Sequence, residues 1–234
     1  MLSVLYSSAG GLEAASKTQD ALARNIAGAS QHGYRRATVR FADELQQAGG
    51  RVVRAEEGTS FEQGQLVRTD APLDLALEGD GFFTLQKPDG DLVYTRRGSF
   101  TLGANGRIVT TSGLTVLGTG GPILLAPGAQ LTVGADGTLL DRGNTVGTLR
   151  IASFPDPSVL AAVGTTLFAE KGAVPTATPA VDCRVRQGFL ENSNVDLLAE
   201  MVRMVENTRA YQASAKAASA ADSALGQLRE VAEV

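Results

Sequence analysis

Apolar residues recur over the first thirty positions in alternating steps of three and four. Leu5, Ser8, Leu12, Ala15, Gln19, Leu22, Ile26 and Ala29 fall on one line. Such a heptad-like stripe predicts a helix of roughly 25 residues, about 38 Å long at 1.5 Å per residue. Gln19 interrupts it and the small members make it shallow, so this helix is marginal alone. A second stripe runs through Leu197, Met201, Met204, Thr208, Tyr211, Ala215, Ala218 and Leu225, and Asp222 breaks it. Leu198, Val202 and Val205 widen it over the first three turns. This spacing predicts a helix from about 194 to 230, roughly 55 Å long. Ser193 is its expected cap, with Asp196 favouring the positive end. The widened stripe offers more apolar surface than one partner helix covers. Either several helices pack there or the segment polymerises. An antiparallel hairpin of the two ends on a globular body is the simpler alternative.

Between these ends the pattern changes to short apolar runs separated by turns. Gly81–Gln86, Pro88-Asp89-Gly90 and Leu92–Thr95 read as strand, turn and strand. Phe100–Leu102 and Arg107–Thr110 flank Gly103-Ala104-Asn105-Gly106, while Leu131–Val133 and Thr138–Leu140 flank Gly134-Ala135-Asp136-Gly137. Both are turns in which glycine supplies the positive φ that a hairpin requires. Leu149–Phe154 is a further strand, and Ser158–Val163 is expected to form one short helix. Eighteen of the 27 glycines lie at 73–190 and only Gly226 lies beyond, while all eight prolines fall between Pro72 and Pro179. The ends are thus nearly free of helix breakers. The expected fold class is α+β: long N- and C-terminal helices pairing in a coiled-coil-like arrangement, with a central all-β body of short strands and hairpins. The domain expectation is a helical polymerisation domain at 1–30 and 191–234, an extended connector at 31–72, and a β-rich outer domain at 73–190.

Composition narrows the chemistry. The chain has 234 residues and a net charge of −4, with one Cys, one His and no Trp. No basic excess draws in a polyphosphate, so nucleic-acid binding is not expected. No apolar run approaches the roughly 20 residues that span a bilayer, so direct membrane insertion is not expected either. Cys183 has no partner for an internal disulfide and cannot build a thiolate metal site. His32 reads as a helix-terminal turn residue. No nucleophile elbow, zinc helix or Walker loop occurs, and Pro122 stops any helix after Gly118-Thr119-Gly120-Gly121. Glu78, Asp80, Asp89 and Asp91 lack the spacing of a calcium loop, and a glycosidase cleft would want aromatic platforms. Catalytic residues, cofactors and metal ligands are therefore all expected to be none, and the protein is not expected to be an enzyme. Arg35, Arg36 and Arg40 form a basic cluster. Residues 31–72 balance six arginines with six acids, so a solvated connector or intersubunit ion pairs is the expected reading.

Three motifs, in order, resemble a known family. Near the start these are Leu5-Tyr6, Ser7–Gly11, Asn25-Ile26-Ala27 and Gly33-Tyr34-Arg35. In the centre they are Pro72–Phe83, Tyr94–Phe100 and Asn105-Gly106. Near the end, Gln187–Glu191, Ser193-Asn194-Val195, Glu200-Met201-Val202 and Thr208–Tyr211 complete the set. The chain resembles the bacterial flagellar rod proteins of the axial rod–hook family. Arg24, Gly28 and Gln31-His32 depart from the usual pattern, so a family-typical turn is not assumed after the first helix. The short stretch between Tyr34 and Leu73 resembles the proximal rod type, while Ile151–Phe154 with Val159–Phe168 resembles the distal type.

The resemblance implies a structural subunit of the flagellar basal-body rod that self-assembles through its terminal helices into a hollow axial structure linking motor and hook. Its partners would be other copies of itself, neighbouring axial rod and hook proteins, and the flagellar type III export apparatus. Its location would be the periplasm-spanning rod, reached without a cleaved signal peptide, since Met1–Leu5 has no charged n-region. The expected assembly interface comprises Leu5, Leu12, Leu22, Ile26, Leu198, Met201, Val202, Val205 and Tyr211. The alternative function is an extracellular or phage-like β fibre or binding protein.

Overall fold

The computed structural model describes residues 2–45, 51–126, 128–172, 177–180 and 182–232, with side chains described at 10–40, 56–126, 128–172, 177–180, 182–220 and 223. Two α-helices are present among them, α1 (Leu2–Gly28) and α2 (Leu197–Ala232); the other named elements are short strands and one 3-10 turn. The chain divides into two compact units. The first comprises Met1–Ala27, Arg36–Ser60 and Val195–Val234, and the second comprises Gly28–Arg35 and Phe61–Asn194.

The first unit holds the helices and an antiparallel hairpin of β1 (Ala37–Leu45) and β2 (Arg51–Thr59), paired from Ala37–Thr59 to Leu45–Arg51. The expected α+β fold with coiled-coil-like helix pairing is overturned here. Among the described residues most elements are strands, and no apolar heptad seam joins the two helices. Where they meet, Asn207 Nδ2 donates to the Ala15 carbonyl over 2.9 Å and to Gln19 Oε1 over 3.4 Å. Leu197, Leu198, Met201, Val202, Val205 and Tyr211 remain exposed. The physical reason is that α2 turns Glu200 and Asn207 inward beside the half-buried Met204, and leaves its widest apolar stripe outside. Polar contacts from Asn207 to Ala15 and Gln19 stand where interlocking knobs and holes were expected.

Asp196, rather than Ser193, caps α2. Its Oδ1 accepts from Ala199 N at 3.1 Å and its carbonyl from Glu200 N at 3.0 Å. Upstream, Asn194 is held outside the helix, with its Nδ2 donating to the Glu62 carbonyl at 2.9 Å. Ser193 thereby lies three residues before the cap position.

The second unit is all β apart from its turns. Its strands begin with β3 (Leu66–Arg68), β4 (Leu75–Glu78), β5 (Phe82–Gln86), β6 (Leu92–Thr95), β7 (Phe100–Leu102), β8 (Ile108–Thr110) and β9 (Thr115–Gly118). The main sheet runs Leu160–Ala162, Leu167–Glu170, β6, β5, β9, β8, β7. Leu131–Val133, Thr138–Asp141 and Asn144–Thr148 form a separate three-stranded sheet. Both glycine-bounded hairpins form, with Gly106 at φ 72° and Gly137 at φ 82°. Alternating residues of these strands build one core around Leu77, Phe83, Leu85, Val93, Ile108 and Leu139. A second core gathers Phe82, Tyr94, Phe154 and Phe168, with Phe61 packed edge-on against Phe82 and Phe168. Gly98 has no room for a side chain, since a Cβ would fall on the Leu75 carbonyl.

The short helix expected at Ser158–Val163 does not form. A 3-10 turn at Pro157–Val159, capped by Asp156, gives way to the strand Leu160–Ala162. That strand pairs with Leu167–Glu170 and buries Leu160. Cross-strand pairing of a buried side chain outweighs the weak helical preference of so short a segment.

Candidate assembly surface

Two carboxylates organise the ends of the chain, one in each unit. In the second unit, Glu191 closes the strand Phe189–Glu191, which pairs with β3. Its side chain is fully enclosed. Oε1 accepts from Arg35 Nη2 at 2.6 Å and from Gly64 N at 2.8 Å. Oε2 lies 3.4 Å from Arg96 Nη1, and Arg96 Nη2 donates to the Gly79 carbonyl at 2.7 Å. The Arg96 guanidinium also stacks 5.2 Å above the Phe82 ring. Burial pulls the Arg96 pKa below its ordinary value, and the charge of Glu191 opposes that pull. Gly33, at φ 72°, turns the chain so that its N–H reaches the Glu191 carbonyl at 2.7 Å. Gly28 is equally constrained, because the Tyr34 ring occupies the place of a Cβ.

In the first unit, Glu200 on α2 is only 1% exposed. Its Oε1 accepts from Arg36 Nε at 2.6 Å and from Arg203 Nη1 at 2.8 Å. Its Oε2 accepts from Asn25 Nδ2 at 3.2 Å. Asn25 also exchanges two hydrogen bonds with the backbone of Ala37, at 2.7 and 2.9 Å. The consecutive arginines 35 and 36 thus serve different units. They are neither a solvated connector nor intersubunit pairs, because each already holds a carboxylate of its own chain. Arg40 is exposed.

With Glu200 and Asn207 turned inward beside half-buried Met204, the widened part of the apolar stripe of α2 faces outward. Leu198, Met201, Val202 and Val205 recur at i, i+3, i+4 and i+7 on one face, with Leu198 75% and Val202 59% exposed. Tyr211 is also exposed but lies further round the helix. On α1, Leu22 is buried in the first unit, and Leu12 and Ile26 are half-buried. Leu5 lies in α1, with its side chain outside the described residues. The structure therefore gathers four of the nine expected interface residues into one exposed patch. It places Leu22 in the protein's own interior. The carboxylate hubs were missed in the sequence, although Asn25, Arg35, Glu191 and Glu200 all lie in the three recognised motifs. Arg35, Arg36 and Asn25 lie more than 150 residues from the carboxylates they meet, a separation that leaves no local signal.

Among the described residues, no three His, Cys, Asp or Glu side chains converge to hold a metal, and no helix is long and apolar enough to cross a membrane. His32 Nδ1 lies 3.0 Å from Asn192 Oδ1 in a turn contact. Burial raises the pKa of the Cys183 thiol, which disfavours the reactive thiolate.

Each of the two units thus encloses a polar hub, and α2 carries an exposed apolar face. Comparison with known proteins gives the class of protein. Residues 76–140 match the model of the flagellar hook protein FlgE/F/G D1 domain, and residues 186–230 match the flagellar basal body rod FlgEFG protein C-terminal model. The chain is 32% identical over 261 residues to the flagellar basal-body rod protein FlgG of Borreliella burgdorferi, covering 97% of both. It is 32% identical over 246 residues to the rod protein FlgF of Salmonella typhimurium, again with 97% of each covered. With FlgF of Mesorhizobium japonicum it shares 34% identity over 224 residues, 89% of this chain and 90% of that one. The chain belongs to the flagellar basal-body rod protein family, and its place is the basal body of the bacterial flagellum.

Proposed function

We propose that this rod protein is a self-assembling building part whose copies join through the outer face of α2, within a hollow axial structure that links motor and hook. The observation that carries this reading is the inverted polarity of α2. Glu200 is enclosed and hydrogen-bonded while Leu198, Met201, Val202 and Val205 stand in solvent. Monomeric proteins rarely leave such a contiguous apolar face uncovered, and burying it between copies would release the ordered water around it. Neighbouring rod and hook proteins would meet the same face at the ends of a homopolymer segment. The helical ends act as the polymerisation domain, the second unit as the outer body, and the chain reaches the rod through the flagellar export apparatus. Its role is mechanical, without turnover of a substrate.

The test is substitution within the patch. Met201→Asp or Val205→Asp places a charge where assembly removes water, so either variant is expected to stay monomeric while the β unit keeps its fold. Normal filaments from both variants would overturn the interface. Circular dichroism and limited proteolysis of the β unit separate lost assembly from lost folding.

A further inference from the structure

The first unit contains a groove as well as a patch. It is roughly 530 Å³ in volume and is lined by Thr18, Ala21 and Leu22 of α1, Thr38 and Val39 of β1, and Ala210 with its neighbours on α2. At 3.6 residues per turn, the groove-lining positions 203, 206, 207 and 210 lie about 140° around α2 from the exposed patch. One helix therefore presents an apolar ridge on one side and an apolar-floored groove on the other.

Resting on the self-assembly reading above, we infer that the Leu198, Met201, Val202 and Val205 ridge of one copy seats in this groove of the next. Charges agree with that seating. Arg209 prolongs the ridge line, from 198 through 202 and 205, and Glu206 lines the groove. Arg36 and Arg203 in the groove wall are already committed to Glu200. Both Arg209 and Glu206 lack an ion-pair partner among the described residues. Seating the ridge brings the free cation of one copy towards the free carboxylate of the other. Ridge-on-ridge pairing about a two-fold axis would leave the groove empty and close the assembly at two copies. Ridge-in-groove contact is heterologous, so each copy retains one unused ridge or groove and growth continues. A rod requires the second kind of contact.

Two complementary variants test it. Val202→Asp disables the ridge, and Ala210→Trp fills the groove from an exposed position of α2. At concentrations where the unmodified chain assembles, each variant alone is expected to sediment as a monomer. Their equimolar mixture is expected to give a dimer of one of each and no larger species, since the intact groove of the first accepts the intact ridge of the second. Normal assembly by Ala210→Trp would overturn the groove as the receiving surface while leaving the ridge in place. A mixture that stays monomeric would overturn the heterologous contact. Normal assembly by Val202→Asp, or an unmodified chain that stays monomeric throughout, would instead remove the self-assembly reading itself. If Ala210→Trp loses helical circular dichroism, Glu206→Arg at the exposed groove edge replaces it, with Arg209→Glu added in the same chain expected to restore growth.

Discussion

Asn25 and Glu200 meet across 175 positions of sequence, Asn25 Nδ2 donating to Glu200 Oε2 over 3.2 Å inside the helical unit. The same amide grips the backbone of Ala37 in both directions. One polar side chain thereby ties the end of α1, the start of β1 and the first turn of α2. Glu200 faces inward because it has three donors there, from Asn25, Arg36 and Arg203, and its apolar neighbours are turned outward as a consequence.

Removing that carboxylate should therefore loosen α2 before anything else. Glu200→Ala leaves Asn25 and two guanidinium groups short of an acceptor, though Arg36 and Arg203 are partly exposed and regain water. A loss of about 2 kcal/mol is expected. Hydrogen exchange should show faster opening of the first turns of α2, with the β strands still protected. Unchanged exchange in α2 would contradict the role of Glu200.

Glu191 should matter more, since its partners have no water to fall back on. Arg35 and Arg96 side chains are essentially unexposed. Arg35 Nε and Nη1 and Arg96 Nε already lack hydrogen-bond partners among the described residues. Glu191→Ala strands two buried cations and is expected to cost about 3–5 kcal/mol in denaturant unfolding of the β unit. Glu191→Gln, which keeps acceptor capacity but no charge, should fall between this variant and the parent. A change below 1 kcal/mol, set against the about 3–5 expected for such a loss, would show that the hub is dispensable.

Tyr94 predicts the alkaline limit of the β unit. Burial raises its pKa far above the ordinary value of 10.0, and its hydroxyl donates to Glu170 Oε1 at 2.7 Å, which raises it further. A pKa raised in the folded state means stability that is full below the unfolded value and is lost as pH rises through the folded one. Stability should accordingly start to decline above about pH 10. Tyrosinate absorbance should show one of the four tyrosines ionising only as the β unit unfolds. Tyr94→Phe should flatten this decline, and an unaltered alkaline slope in that variant would assign it elsewhere.

Local signals in the sequence were legible where a single residue determines backbone geometry or where periodicity switches. The turns at Gly103–Gly106 and Gly134–Gly137 were readable because glycine alone adopts their positive φ at no cost. Strands such as Phe82–Gln86 and Leu92–Thr95 were readable as short β-prone runs between turn signals. The segment at 158–163 was misread because six residues carry too little pattern to separate a helix from a strand completed by a distant partner. The hairpin at 37–59 shows the same limit, since its apolar content is modest and its pairing is set by the register between its two arms.

The deeper division concerns which face of α2 points inward. Periodicity by itself determined that an apolar stripe exists and that it is wide around Leu198, Met201, Val202 and Val205. Three ordered motifs, apart from any periodicity, carried the resemblance to the family to which the chain belongs. Only the tertiary structure decided that this stripe is the outer face. A coiled-coil reading ranks positions by hydrophobicity, pairs part of the stripe with α1 and leaves only the surplus for other chains. The folded chain instead buries Glu200, because Asn25 of α1 and Arg36 converge on it beside its helix neighbour Arg203 and satisfy its charge. Such convergence depends on long-range geometry, which no local pattern of apolar and polar residues encodes.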